Sequence, residues 1–221
     1  MNEFYLSIIG CLRDFVNGVT AAQAVDDDFK RAKTHPLACR AFVRKGAAQA
    51  AAVLHGRKDE CALWGTVLLN GVYEKDGWLL FDFADGFYNA LCEKLAALPC
   101  GRHAGVSADN ADPCERLAAL PRGHNADKDV QYLINRLSTA ARHGRCPCPQ
   151  DARVRRTLWD AFCDFAKSGG LSAQTQRAVL SMSHHLLGRE RVGLEQNLGG
   201  VALAMLGLIR AGGMSQTSGG Q

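Results

Sequence analysis

Three residues at helical spacing bring an aromatic ring, an amide and a guanidinium together: Tyr132, Asn135 and Arg136. At i, i+3 and i+4 they are neighbours on one helix face. Such a set could stack a base, read its edge and hold a phosphate. On the residues alone, an ordinary solvated face with Tyr132 half-buried at the margin is the commoner meaning of such a set. Five arginines lie close by: Arg142, Arg145, Arg153, Arg155 and Arg156. As phosphate contacts they would give salt-dependent binding of a polyanion. As a charge run they would only solubilise a loop.

Other residue sets point to less. Cys146-Pro147-Cys148 with His143 nearby is the strongest metal candidate. A zinc knuckle, however, needs C-x2-C and a second such element, and the sequence has none. His184 and His185 are adjacent and would point to different helix faces. Asp26-Asp27-Asp28 suggests a hard cation at first sight. Consecutive helical residues diverge by about 100°, so the three could not converge on one ion. No G-x-S-x-G elbow, Walker loop or G-x-G-x-x-G is present. Asp82 and Asp85 flank a hairpin exit, and a helix cap accounts for Asp85. The expectation is no catalytic residue, no metal and no cofactor.

The element that must carry the first trio is Asn125–Gly144, the most regular helical pattern in the chain. Val130, Leu133, Ile134, Leu137, Ala140 and Ala141 recur at three and four, on one face. Asn125 or Asp127 can cap its start. Asp129 in the first turn and Arg142 and His143 in the last suit the helix dipole. Gly144 follows where a left-handed residue is wanted.

The whole chain has 221 residues, is 47% hydrophobic and 22% charged, and carries a formal net charge of +4. That allows one large domain or two small ones and permits an anionic partner without demanding one. No stretch reaches the roughly 20 apolar residues of a membrane span. The longest, Leu198–Ile209, is broken by Gly199, Gly200 and Gly207. The start lacks the marks of a signal peptide. With 9 cysteines, an odd count, a reduced cytoplasmic setting is expected. Cys11, Cys92 and Cys163 fall inside helical apolar patterns and read as small core residues.

Taken in order, Phe4, Leu6, Ile8, Ile9, Leu12, Phe15 and Val16 predict a first helix that Gly18 ends. Further helices are expected over 21–33, from Pro36 to about Leu54, and over Asp59–Leu69. Asn70-Gly71 and Asp76-Gly77 then mark turns around Val72-Tyr73 and Trp78–Phe83, a small hairpin near 72–83. A helix follows from Asp85 to Leu98, stopped by Pro99. A short helix is expected over Asp112–Leu120. Asp151 caps a helix to Ser168, Ser172 caps the next, and a last helix runs from about Gly193 to Ala211. The fold expected is mainly α: a helical domain over 1–110 with one β-hairpin, a helical bundle over 125–213 and a disordered tail over 214–221. The boundary is placed between Pro99 and Asn125.

Asp129–Gly144, DVQYLINRLSTAARHG, resembles the opening helix of the DALR anticodon-binding domain, which closes the class I arginyl-tRNA synthetases. The shared features are Val130-Gln131-Tyr132, then Arg136, then small residues ending in a basic turn. Ala204–Gly212, AMLGLIRAG, is similar to the family's last apolar helix. The hairpin and the helix after it also look like part of the N-terminal RNA-binding domain of those enzymes, although the Gly-Pro-Gly turn is missing. The resemblance spans about 125–213 and implies RNA, tRNA in particular, as ligand. It implies no aminoacylation by this chain. HIGH- and KMSK-like signatures are absent, Ser181-Met182-Ser183-His184 being only superficially similar to the second. The interval between the resembling segments is too short for the catalytic fold. The function expected is a non-catalytic RNA-binding module; the alternative is a helical protein that docks a protein partner.

Overall fold

The computed structural model describes residues 2–40, 46–98, 128–143, 151–189 and 199–211. Helix dominates them, as the apolar periodicity predicts. The chain divides into two compact units, Met1–Tyr88 and Asn89–Gln221.

In the first unit, α1 (Asn2–Val19) buries Ile8, Ile9, Leu12, Phe15 and Val16, one stripe of a 3.6-residue helix. Leu6, expected in that stripe, is about half exposed. Beyond α1 the structure departs from expectation. The helix predicted over 21–33 is instead a short 3-10 turn, Asp26–Asp28, leading into β1 (Phe29–Arg31). Asp28 Oδ2 accepts from Val25 N at 2.9 Å, and Asp26 is held by Arg13 at 2.9 Å. Short acidic side chains that bond to nearby backbone favour turns over helix interiors, and here they do so.

The helix predicted from Pro36 is replaced at its start by β2 (Leu37–Cys39). All three β2 side chains are buried, and the strand pairs on both edges, with β1 and with residues 79–81. Such a short buried run has no alternation by which sequence could tell strand from helix. The later part of that stretch is helical: α2 (Ala47–Gly56) buries Ala47, Ala50, Ala51 and Leu54.

The helix predicted over 59–69 is a 3-10 turn, Lys58–Glu60, followed by a tight hairpin of β3 (Ala62–Leu63) and β4 (Thr66–Val67). Its loop is Trp64-Gly65, with φ of 51° and 74°. Two central residues at positive φ make the mirror-image turn that matches strand twist. The predicted hairpin is present as β5 (Leu69–Lys75) and β6 (Trp78–Phe83), closed by Asp76-Gly77 at φ 54° and 80°. It is one half of a four-stranded antiparallel sheet ordered β1-β2-β6-β5. Leu37 pairs with Phe81, and Val72 pairs with Phe81 on the other side. Leu79, Leu80, Phe81 and Phe83 of β6 are buried, and α2 packs on β5 and β6. The N-terminal unit is therefore a helix-and-sheet structure rather than a helical one with a single hairpin.

The division between the units falls inside α3 (Asp85–Ala96), which begins where predicted. The linker between Pro99 and Asn125, the helix expected over 112–120 and the tail over 214–221 lie outside the described residues.

After the end of α3, the described elements of the second unit are all helices: α4 (Lys128–His143), α5 (Ala152–Ser168), α6 (Ala173–Arg189) and α7 (Gly199–Ala211). α5 starts and stops on the residues that sequence assigns. Asp151 accepts from Arg153 N at 2.8 Å, and Gly169 closes the helix at φ 71°, donating to Phe165 O at 3.0 Å. Val201, Ala202, Met205, Leu206, Leu208 and Ile209 of α7 are all but fully buried, so α7 is the central helix. α4 packs chiefly on α7, and α5 chiefly on α6. Gly207 lets α7 come close to the end of α3: a Cβ there would run into the Leu95 carbonyl oxygen.

Candidate functional site

α4 turns its apolar stripe inward, with Val130, Leu133, Leu137 and Ala140 buried and Ile134 half-buried. The face opposite is fixed by that burial. It presents Tyr132, Asn135 and Arg136, all exposed, with Tyr132 at 54%. An exposed tyrosine one helical turn from an arginine offers a flat ring and a fixed positive charge to the same ligand. Ser138 and Thr139 donate back to the carbonyls of Ile134 and Asn135, at 2.7 and 3.1 Å. Their hydroxyls are thereby committed to the helix itself.

The second basic group opens α5. Arg153 is exposed, whereas Arg155 and Arg156 are half-buried. Arg156 Nε lies 3.0 Å from Asp160 Oδ2, one turn on, so part of its charge is already answered within the helix. The α5 N-terminus also meets α6, where His185 Nε2 stands 3.9 Å from Asp151 Oδ2. The α5–α6 corner is tied by Asp164, whose Oδ2 accepts from Ser172 N, Ser172 Oγ and Thr175 Oγ1 at 3.1, 2.6 and 2.5 Å. Ser172 Oγ in turn accepts from Thr175 N, capping α6 as predicted.

Of the eight predicted contact residues, the described structure groups Tyr132, Asn135 and Arg136 as one patch on α4. It groups Arg153, Arg155 and Arg156 as another on the first turns of α5. The packing of α4 on α7 and of α5 on α6 does not by itself set the two patches side by side. The side chain of Arg142, and Arg145 entirely, lie outside the described residues, as do Cys146 and Cys148. Among the described residues no group of three or more His, Cys, Asp or Glu is placed to hold a metal. None of the described helices is long and apolar enough to cross a membrane.

The cysteines of the helical stripes differ in their surroundings. Cys92 and Cys163 are buried core residues, as read from their helical positions. Cys11 is not: it is partly accessible and faces Cys61, fifty positions away, with 3.8 Å between the sulfurs. Spacing could not have revealed this pair, because the connection between them passes through β1, β2 and α2.

No family model matches the chain, and neither a curated protein nor a solved structure does.

Proposed function

We propose that this protein binds structured RNA, tRNA being the first candidate, through the outward face of α4, and that it does so without catalysing a reaction. The observation that carries the reading is the alignment of exposed Tyr132, Asn135 and Arg136 opposite a buried Leu133 and Leu137. A base stacks on a tyrosine ring regardless of sequence, an amide reads its edge, and an arginine holds the adjoining phosphate. The resemblance of 129–144 to the opening helix of the DALR anticodon-binding domain supports tRNA over other RNA. A DALR-like bundle over 125–213 is part of the same proposal. Arg153, Arg155 and Arg156 would serve as a second, purely electrostatic contact, with Arg156 weakened by its pairing to Asp160.

The test is a titration of the full chain with unfractionated tRNA and with a matched DNA duplex at several salt concentrations. Preference for tRNA is expected. Tyr132→Ala should weaken binding by about 1–3 kcal/mol with little change in salt slope, as stacking requires. Arg136→Gln should lower affinity and flatten the slope together. Equal affinity for duplex DNA, or a Tyr132→Ala variant that binds like wild type, would sink the reading. The face would then be a docking surface for a protein.

A further inference from the structure

The second site belongs to the first unit and owes nothing to the α4 face. Residues of α1 and of the segment after α2 enclose a pocket of about 420 Å³. Cys11, Asp14 and Phe15 line one wall; Arg57, Glu60 and Cys61 line the other. Each wall carries an ion pair at its solvent-facing side. Arg57 grips Glu60 with two bonds, of 2.7 and 2.6 Å, and Arg13 holds Asp14 at 2.9 Å. Cys61 is 1% exposed, and Cys11 is the accessible thiol of the two. Cys11 Sγ also lies 3.5 Å from the Ala62 carbonyl oxygen, so the thiol has a hydrogen-bond acceptor on the strand that follows Cys61. The sulfurs are 3.8 Å apart, and a disulfide bond is about 2.05 Å long, so an approach of roughly 1.8 Å separates contact from bond.

We propose that Cys11 and Cys61 form a thiol–disulfide exchange site that reacts with low-molecular-weight disulfides entering this pocket and closes to a bond tying α1 to the start of β3. The accessible sulfur reacts first. Cys11 thiolate attacks one sulfur of RSSR; that S–S bond breaks and RS⁻ leaves, giving a mixed disulfide on Cys11. Cys61 then passes its proton to the departed RS⁻ and attacks Cys11 Sγ; the mixed S–S bond breaks and the second RS⁻ leaves, taking up from water the proton that Cys11 had released. Two protein thiols and one RSSR become one protein disulfide and two RSH, with the protein oxidised and the small disulfide reduced.

The electrostatics order the two roles in the same way. The hydrogen bond with Cys61 holds the Cys11 thiol below its ordinary value, against the opposing effects of burial and of Asp14. The same bond, with burial and the Cys11 charge, pushes Cys61 up. The exposed sulfur is therefore the better nucleophile and the buried one the resolving partner. Cys39, Cys92 and Cys163 are buried too and serve as contrast.

Glutathione disulfide is the probe. Reduced full-length protein is incubated with it, remaining thiols are alkylated, and peptides are mapped by mass spectrometry. A Cys11–Cys61 linked peptide is expected, reversed by dithiothreitol. Cys61→Ser should trap glutathione on Cys11, and Cys11→Ser should give neither product. The linked form should melt on the order of 5–10 °C higher, because the bond closes a long loop. Failure of wild-type protein to form the link, with Cys11 and Cys61 still alkylated, would overturn the pair without relying on any variant. A linked form that melts with the reduced one would overturn the tie between α1 and β3.

Discussion

The two compact units solve the same packing problem with different amounts of local information. In the second, α5 carries its own start signal in Asp151, its own stop in Gly169 and its own buried stripe through Leu158, Phe162 and Phe165. In the first, the core strand β6 is flanked by β2 and β5, and Leu37 finds Phe81 only because intervening elements fold around them. The candidate sites divide in the same way. Tyr132, Asn135 and Arg136 are neighbours on one helix, whereas Cys11 and Cys61 are fifty positions apart. A site carried by one helix follows from residue spacing; a site assembled by sheet connections does not.

The largest expected effects test whether both cores are as consolidated as their burial implies. Trp159 in α5 and Phe81 in β6 are fully buried. Trp159→Ala and Phe81→Ala should each cost about 3–5 kcal/mol in urea unfolding, since the lost transfer energy adds to that of the cavity left behind. A loss below about 1 kcal/mol for one of them would break the parity and mark that unit as loosely packed.

A smaller effect separates close packing from helix propensity within the second unit alone. Gly207 and Gly188 are both helical. A Cβ at Gly207 would strike the Leu95 backbone, which cannot swing aside as a side-chain end can, whereas nothing lies within 4 Å of one at Gly188. Gly207→Ala should therefore destabilise by about 1–3 kcal/mol. Gly188→Ala should stabilise by roughly 0.5–1 kcal/mol, the ordinary gain of alanine over glycine in a helix. Similar values for the two would show that α7 does not need its close approach to α3.

What was legible follows the same division. The hairpin turn at Asp76-Gly77, the start of α3 and the body and Asp151 cap of α5 were readable because each is specified by residues within a few positions of one another, whereas Asn70-Gly71, expected as a turn, lies inside β5. The strands β1 and β2 were not readable, because each is only three residues long. Leu37, Ala38 and Cys39 are all buried, so the period-two signal that marks a strand is absent. The β3–β4 hairpin was hidden by its apolar content: Leu63, Trp64, Val67 and Leu68 fit a helical stripe, and Gly65 was the contrary sign. For the candidate sites, Tyr132, Asn135 and Arg136 are exposed on α4, as their spacing opposite the apolar stripe predicts. The position of Arg153, Arg155 and Arg156 relative to them was not legible, because helix order in sequence does not determine which helices pack.

Trp64 gives the smallest and most discriminating test, since two opposing terms of similar size meet there. Its φ of 51° lies in the left-handed region, which costs a side-chain-bearing residue about 1–2 kcal/mol. Against that, its ring stacks on Phe4 with centroids 4.1 Å apart and planes 8° from parallel, worth about 0.5–1.5 kcal/mol. The ring is half exposed, so burial adds little beyond the stack. Trp64→Ala removes the stack and keeps the strain; a loss of about 0.5–1.5 kcal/mol is expected. Trp64→Gly removes both, and glycine adopts positive φ freely. It should lie within about 1 kcal/mol of wild type and be more stable than Trp64→Ala by roughly the same amount. Urea unfolding of the three proteins side by side measures this. If the glycine variant proves the least stable, positive φ at Trp64 carries little strain, and the freedom that glycine adds to the unfolded chain outweighs the relief. The first unit would then be less dependent on its tight turns than its two positive-φ hairpins imply.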